Sequence, residues 1–304
     1  MFSTRDAILA TLCYSDLFNY PLTGAELKYW LVKKAVGSTT DLLKYLPGQV
    51  DTSSGIRGEK YYFLKSGQKL IARRKQRLIW SEQKLRIARR VGRWLQLVPT
   101  LMLAGITGGL AINNTEKKDD IDFLLITSPG TLWLSRLIAV GVLELLGKRR
   151  RPQDTKYQDK ICLNMLMTTA YLEVPTGERD LFTAHELLQM HVLWERRGTY
   201  QKFLRANQWV KEFLPNAWWQ KTQEFRTKNP RLPKSRGKIA SYILRLLEEP
   251  SKRLQLRYMR SRRTTEVISD YLLRFHPLDI RAWIKVELAR SLSRYKIPLD
   301  KVFW

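Results

Sequence analysis

The stretch from residue 101 to residue 127 limits the fold more than any other part of this chain. Leu101-Met-Leu-Ala-Gly-Ile-Thr is apolar almost throughout and runs into Gly108-Gly109, and Ile121-Asp-Phe-Leu-Leu-Ile-Thr is a second apolar run with Asp120 and Asp122 at its head. Short apolar runs bounded by turn residues read as strands buried on both faces. On a strand, residues two apart share a face. Asp120 and Asp122 therefore converge on one side, while Ile121 and Phe123 turn into the core. Residues 131 to 146 follow as a helix, and Lys160-Ile-Cys-Leu-Asn-Met-Leu-Met-Thr as a third strand. Strands alternating with helices require a central sheet of the α/β (α+β) class.

Two carboxylates on one face of a strand suit magnesium, which prefers hard oxygen ligands and keeps positions open for substrate phosphates. Two such ions can orient a nucleoside triphosphate and stabilise the attacking and leaving oxygens. Gly108 and Gly109 carry no side chains, so the backbone there can approach phosphates and donate N–H groups, helped by the start of the next helix.

The run Thr107-Gly108-Gly109-Leu110-Ala111-Ile112-Asn113-Asn114, ending at Asp119-Asp120-Ile121-Asp122-Phe123, resembles the signature of the DNA polymerase beta-like nucleotidyltransferase superfamily. That signature is a Gly-Ser or Gly-Gly turn, a short helix, then Asp-x-Asp on a strand. The resemblance implies a nucleotidyltransferase core over residues 99–178, with Asp120 and Asp122 as catalytic metal ligands, Gly108 and Gly109 on the nucleotide phosphates, and Mg2+ as cofactor. Two departures stand out. Gly109 occupies the place where the family often has Ser. The third carboxylate on the next core strand is replaced by Asn164, which is neutral and cannot act as a base; Asp159 and Glu173 flank that strand as alternatives. The core is either an active transferase with a variant third ligand or a degenerate one that still binds nucleotide. Arg149, Arg150 and Arg151 lie between two core strands. Arginine suits bidentate phosphate contact, so Arg149 and Arg150 are nucleotide-binding candidates, with an exposed basic loop as the competing reading. The chain as a whole resembles bacterial nucleotidyltransferase-domain proteins through Cys13-Tyr-Ser-Asp-Leu-Phe-Asn-Tyr-Pro-Leu, Tyr62-Phe-Leu-Lys-Ser-Gly, Trp133-Leu-Ser-Arg-Leu, Phe213-Leu-Pro-Asn-Ala and Phe275-His-Pro-Leu-Asp, and this resemblance brings no substrate with it.

Ahead of the core, residues 1–66 read as three helices (4 to 20, 25 to 32 and 42 to 46) followed by two extended segments around a Gly- and Ser-rich turn. That is the order of a winged-helix-like domain. The third helix holds only Lys44 as a base, so reading a DNA groove and contacting another protein are equally open. Residues 67–98 form a basic connecting helix, or two, with Leu70, Ile71, Leu78, Ile79, Leu85, Ile87, Val91 and Leu95 at helical spacing. Between them stand Arg73, Arg74, Arg77, Arg89 and Arg90, too poorly matched by acids to be mostly intrahelical pairs and so expected to track phosphates.

Lys and Arg total 54 against 28 Asp and Glu, a formal charge of +26. Self-repulsion of that size opposes the compact state, and a polyanion would offset it. Nucleic acid, RNA or DNA, is the leading partner and an anionic membrane surface the second. The two cysteines, Cys13 and Cys162, each sit in an apolar run and read as core residues, and His185, His191 and His276 are too scattered for a metal cluster. The first 18 residues lack the basic region of a secretion signal, and the longest apolar stretch, around Ile138 to Leu146, contains Glu144 and is too short to span a bilayer. A cytoplasmic protein with no membrane partner is expected.

Residues 179–304 are expected to form a basic helical domain, with helices at His185 to Glu195, Tyr200 to Phe213, Ser241 to Leu247, Leu254 to Phe275 and Leu278 to Tyr295. The Pro- and Lys-rich Lys228 to Lys238 reads as a linker or arm, and Asp279 as a helix cap. Trp209, Trp218 and Trp219, interleaved with Lys211 and Lys221, read as core. The expected function is magnesium-dependent transfer of a nucleotidyl group from a nucleoside triphosphate to a hydroxyl of RNA or DNA. The alternatives are a degenerate nucleic-acid-binding module, or a transferase acting on a small molecule or protein. A small-molecule substrate would not need so broad a basic surface.

Overall fold

Each of the first three helices starts where the sequence supplies a cap. In the computed structural model of the chain, which describes residues 2–55, 58–64, 68–226, 244, 246–260, 267–275 and 280–304, α1 (Thr4–Leu17) is capped by Ser3 and α2 (Gly24–Tyr29) by Thr23. In both, the hydroxyl accepts from the backbone N–H three residues on, and the acid there, Asp6 or Glu26, accepts in return. Ser38 caps α3 (Thr39–Leu43) in the same sense. The strands β1 (Leu22–Thr23), β2 (Asp51–Ser54) and β3 (Lys60–Phe63) form an antiparallel sheet in the order β1-β3-β2.

The basic segment is one helix rather than two. α4 (Gln68–Leu95) runs 28 residues, about 42 Å at the α-helical rise. It leans on the central sheet, whose order is β7-β4-β5-β6-β9-β8. β4 (Leu101–Ile106) and β5 (Ile121–Thr127) pair antiparallel, and β5 and β6 (Ile161–Thr168) pair parallel across a crossover through α6 (Leu132–Leu145). Alternation along β5 sends its side chains to two cores. Ile121, Phe123 and Leu125 pack with Ala88, Val91 and Leu95 of α4 and with Trp133 and Leu143 of α6. Leu124 and Ile126 face the other way, into a core shared with α1 and with α7 (Leu181–Gln189), α8 (Thr199–Ala206) and α9 (Pro215–Arg226). Each fully buried side chain of this kind contributes about 1.5–3 kcal/mol.

The region after residue 179 is less helical than its sequence suggests. The expected helix from His185 to Glu195 ends at Gln189, and His191–Glu195 is β7, paired antiparallel with β4. The open edge of β4 offers backbone partners that outweigh local helical preference. Likewise the expected helix from Leu254 to Phe275 stops at Met259. α10 (Glu248–Met259) is followed by β8 (Val267–Ile268) and β9 (Leu272–Arg274), a hairpin whose β9 pairs with the outer edge of β6. α10 also completes α6. Thr131 makes no side-chain cap there, and both carboxylate oxygens of Glu248 accept instead from the N–H groups of Trp133 and Leu134, at 2.8 and 2.9 Å. α11 (Ile280–Ser293) packs back against α1 and α12 (Asp300–Phe303) against α7, with Ile284, Leu288, Leu292, Val302 and Phe303 buried. The Lys228 to Lys238 arm, the residues around Asp279 and most of the expected 241–247 helix lie outside the described residues. Trp209 and Trp218 are buried as expected, whereas Trp219 is exposed.

Candidate metal centre

The chain crosses from β4 to β5 through a turn that only glycine tolerates. Thr107 ends the extended backbone, and Gly108 opens the short α5 (Gly108–Ala111) with φ +65. A Cβ on Gly108 would stand 2.9 Å from Oδ2 of Asp122. Left-handed backbone and lack of room therefore select glycine together. A Cβ on Gly109 would meet the carbonyl oxygen of Asn114 at 3.1 Å, a tight contact that accounts for glycine where a serine was the expected alternative. The Thr107 N–H donates to the Asp122 carbonyl at 3.1 Å, tying the turn to the strand that carries the acids. The Thr107 hydroxyl is buried and has no hydrogen-bond partner among the described residues.

Asp120 and Asp122 point to the same side of the head of β5, as residues two apart must, with Ile121 and Phe123 fully buried on the opposite side. The third member of the group is Cys162, directly opposite Asp122 in the parallel register. One ligand atom from each of Asp120, Asp122 and Cys162 lies within 4.8 Å of the others, and all three residues are partly buried, so this group could hold a metal ion. Asn164, the expected third ligand position, lies two residues along β6 from Cys162. The β5–β6 register slips between Leu163 and Met165, which leaves Asn164 as the extra residue of a bulge; it is buried, and its carbonyl accepts from the Phe275 N–H. Asp159 faces α4 and Glu173 pairs with Arg179, so neither alternative joins the group.

A third carboxylic acid comes from elsewhere. Glu186 on α7 is near enough to act electrostatically on Asp122 and makes no hydrogen bond or ion pair among the described residues. Burial pushes its carboxyl up to about 7. Burial, then the charges of Asp120 and Glu186, push Asp122 up to about 7 as well, against the opposing pull of Arg150 and a hydrogen bond from the Cys162 thiol. Burial and the two aspartates also push that thiol up, so it stays protonated at neutral pH. These raised carboxyls carry a stability consequence. A buried acid that holds its proton more tightly when folded contributes stability that is full below about 4 and lost as pH rises through about 7. Without metal, Asp122→Asn should exceed the wild type in melting temperature, and by more at pH 8 than at pH 5. Equal melting temperatures at both values would mean that Asp122 is not held protonated.

The predicted arginines divide sharply. Arg150 binds the Asp120 carboxylate and lies over the Tyr157 ring, 4.8 Å from its centroid. Arg149 instead joins Arg151 on Glu144, at 2.7 and 2.8 Å. Along α4, Arg74 pairs with Glu26 at 2.6 Å and stacks on Tyr20 and Tyr61. Arg77 binds Asn114 at 2.8 Å, the Phe18 carbonyl at 3.1 Å and Glu116 at 2.9 Å. Both guanidiniums are thus spent inside the protein and cannot track phosphates as their sequence positions suggested. Arg73, Arg89 and Arg90 are exposed.

Sequence reasoning missed Lys84. Its side chain is 2 % exposed, and its amine donates to the carbonyls of Lys117 (3.1 Å) and Asp119 (2.6 Å) and to the Asp159 carboxylate (2.8 Å). Those partners lie just before β5 and β6, so one amine fixes the approach of both strands that carry the group. The signal was faint: Lys84 sits among the basic residues of an amphipathic helix, but in line with Ala88, Val91 and Leu95 on its apolar side.

The glycine turn supports a second expected result. Gly108→Ala should lower the melting temperature and weaken divalent-metal binding together, because the new methyl meets the Asp122 carboxylate, whereas Gly37→Ala, with open space around it, should do neither. Melting curves with and without metal decide this, and an unperturbed Gly108→Ala would contradict the packing described.

Comparisons with protein-family profiles, with curated proteins and with solved structures found no match. Among the described residues no helix is long and apolar enough to cross a membrane.

Proposed function

We propose that this chain is a magnesium-dependent nucleotidyltransferase that moves a nucleotidyl group from a nucleoside triphosphate to a hydroxyl of RNA or DNA. The observation that carries this reading is the convergence of Asp120 and Asp122 beside a glycine turn that leaves no room for a side chain against them. The strand–turn–strand arrangement around it agrees with the polymerase beta-like signature in the sequence. The three helices and hairpin of residues 1–66 agree with a winged-helix-like domain.

The donor set fits magnesium through its two carboxylates. Cys162 is a soft, protonated thiol and suits the role of hydrogen-bond donor to Asp122 better than that of magnesium ligand. Magnesium, when bound, supplies positive charge against the triphosphate oxygens. The protein's own residues do the rest. Gly108 and Gly109 let backbone N–H groups approach the phosphates, with the unpartnered Thr107 hydroxyl as a further donor. Arg150, over a third exposed, neutralises Asp120 and can turn its fork to a phosphate oxygen. Glu186, unpaired and pushed up to about 7, is suited to accept the proton of the attacking hydroxyl.

One observation favours the second reading, a degenerate nucleotide-binding module: the position opposite Asp122 holds a thiol rather than a carboxylate. Incorporation of labelled nucleotide from each triphosphate into bulk RNA and DNA separates the two. The transferase reading predicts incorporation that requires magnesium and drops by about 10²–10⁴-fold in Glu186→Gln. Triphosphate binding without incorporation would leave the degenerate reading in its place.

A further inference from the structure

α4 turns two kinds of basic residue in two directions. Arg74, Arg77 and Lys84 point inward and are consumed by Glu26, Glu116 and Asp159. Arg86, Arg89, Arg90 and Arg93 point outward and make no hydrogen bond or ion pair among the described residues. Their spacing is i, i+3, i+4 and i+7, which places them in one stripe with neighbours about 5–6 Å apart. Like charges so placed destabilise a helix, and Glu82 is the only acid on this exposed surface of α4. Folding gains nothing from the stripe; a polyanion would.

The stripe ends at an aromatic side chain. Trp94 is 50 % exposed and Leu97 71 % exposed, and together with Arg90 and Arg93 they line a depression of about 320 Å³. The apolar side of the same helix is already committed, because Ala88, Val91 and Leu95 are buried against the sheet. The outer face therefore cannot present a continuous apolar surface to a bilayer. Over residues 86–97 it presents one indole ring and four guanidiniums that are unpaired among the described residues, with Leu78 and Ile79 exposed nearer the start of the helix.

We infer that the outer face of α4 is a docking surface for single-stranded nucleic acid, with Arg86, Arg89, Arg90 and Arg93 on consecutive phosphates and an unpaired base stacked on Trp94. Charge complementarity selects a polyanion. The exposed ring flanked by arginines selects a strand whose bases are free, since a duplex keeps its bases stacked on one another. This inference rests on the reading that the protein's partner is a polynucleotide, and it adds which strand form is bound and where. The surface lies on the side of α4 away from Lys84 and the acidic group, so it acts as an anchor and not as part of the metal centre.

The test uses the full chain and fluorescence anisotropy with a labelled homopolymeric oligonucleotide, a duplex of equal length, and vesicles containing phosphatidylserine. The wild type should prefer the single strand. Trp94→Ala should weaken single-strand binding by about 5- to 100-fold while leaving both the duplex affinity and the salt slope unchanged, because stacking releases no counterions. Trp94→Phe should recover most of the loss. Arg90→Gln and Arg93→Gln should each lower the log–log salt slope by about 0.7. Trp94 is exposed, so its loss should leave the melting temperature in place. Equal binding of duplex and single strand, or an unaffected Trp94→Ala variant, would overturn the inference while leaving the polynucleotide acceptor standing. Capture by vesicles with no oligonucleotide binding would overturn both.

Discussion

Replacing Lys84 with Met should destabilise the protein by about 3–5 kcal/mol. Met keeps the length and apolar stem of the side chain, so no large cavity opens. What disappears is the amine that satisfies the carbonyls of Lys117 and Asp119 and the Asp159 carboxylate. The two carbonyls remain without their donor, and Asp159, whose side chain is 31 % exposed, keeps a charge that water only partly solvates. Lys84→Met with Asp159→Asn removes the stranded charge and should recover part of the loss. A denaturant titration of the single and double variants checks this. Additive losses, with no recovery in the double variant, would show that Lys84 does not act through Asp159. Because these contacts hold the loops that enter β5 and β6, divalent-metal affinity should fall along with stability in Lys84→Met.

Asp120→Asn with Asp122→Asn should have the opposite balance: no loss of folding and complete loss of metal binding. The two acids repel each other and Glu186, and their strand is held by Ile121 and Phe123 on the other face. Asn keeps the shape and much of the hydrogen bonding. In the absence of metal the double variant should melt no lower than the wild type at pH 8, although Arg150 loses its ion-pair partner. Oligonucleotide binding through α4 should persist, because the arginine stripe shares no residue with the acidic group.

The parts of this fold that follow from local rules were legible in the sequence. Three helices were expected within residues 4–46 and are present, and the apolar runs at 101–106 and 121–127 announced two buried strands. The same-face placement of Asp120 and Asp122 followed from strand geometry alone. What depended on partners distant in the chain was not legible. His191–Glu195 and Leu272–Arg274 become strands because the sheet has open edges at β4 and β6, and no window of the sequence contains that information. The candidate site shows the same limit. Cys162 rather than Asn164 stands by Asp122 because parallel register and a bulge decide it, and Glu186 arrives from a helix after the third core strand. The basic residues of α4 looked alike in sequence, yet Arg77 and Lys84 are structural clamps while Arg86, Arg89, Arg90 and Arg93 are exposed and unpaired among the described residues. Only the direction each faces separates them.

The central claim is that Asp120 and Asp122 form a divalent-metal site that anchors a nucleoside triphosphate. Titration calorimetry of the full chain with each nucleoside triphosphate, with and without magnesium, tests it most directly. The account predicts saturable triphosphate binding that requires magnesium in the wild type and vanishes in the Asp120→Asn, Asp122→Asn variant, with that variant still folded by its melting curve. Magnesium-dependent triphosphate binding of unchanged affinity in the folded double variant would contradict the claim, as would its absence in the wild type.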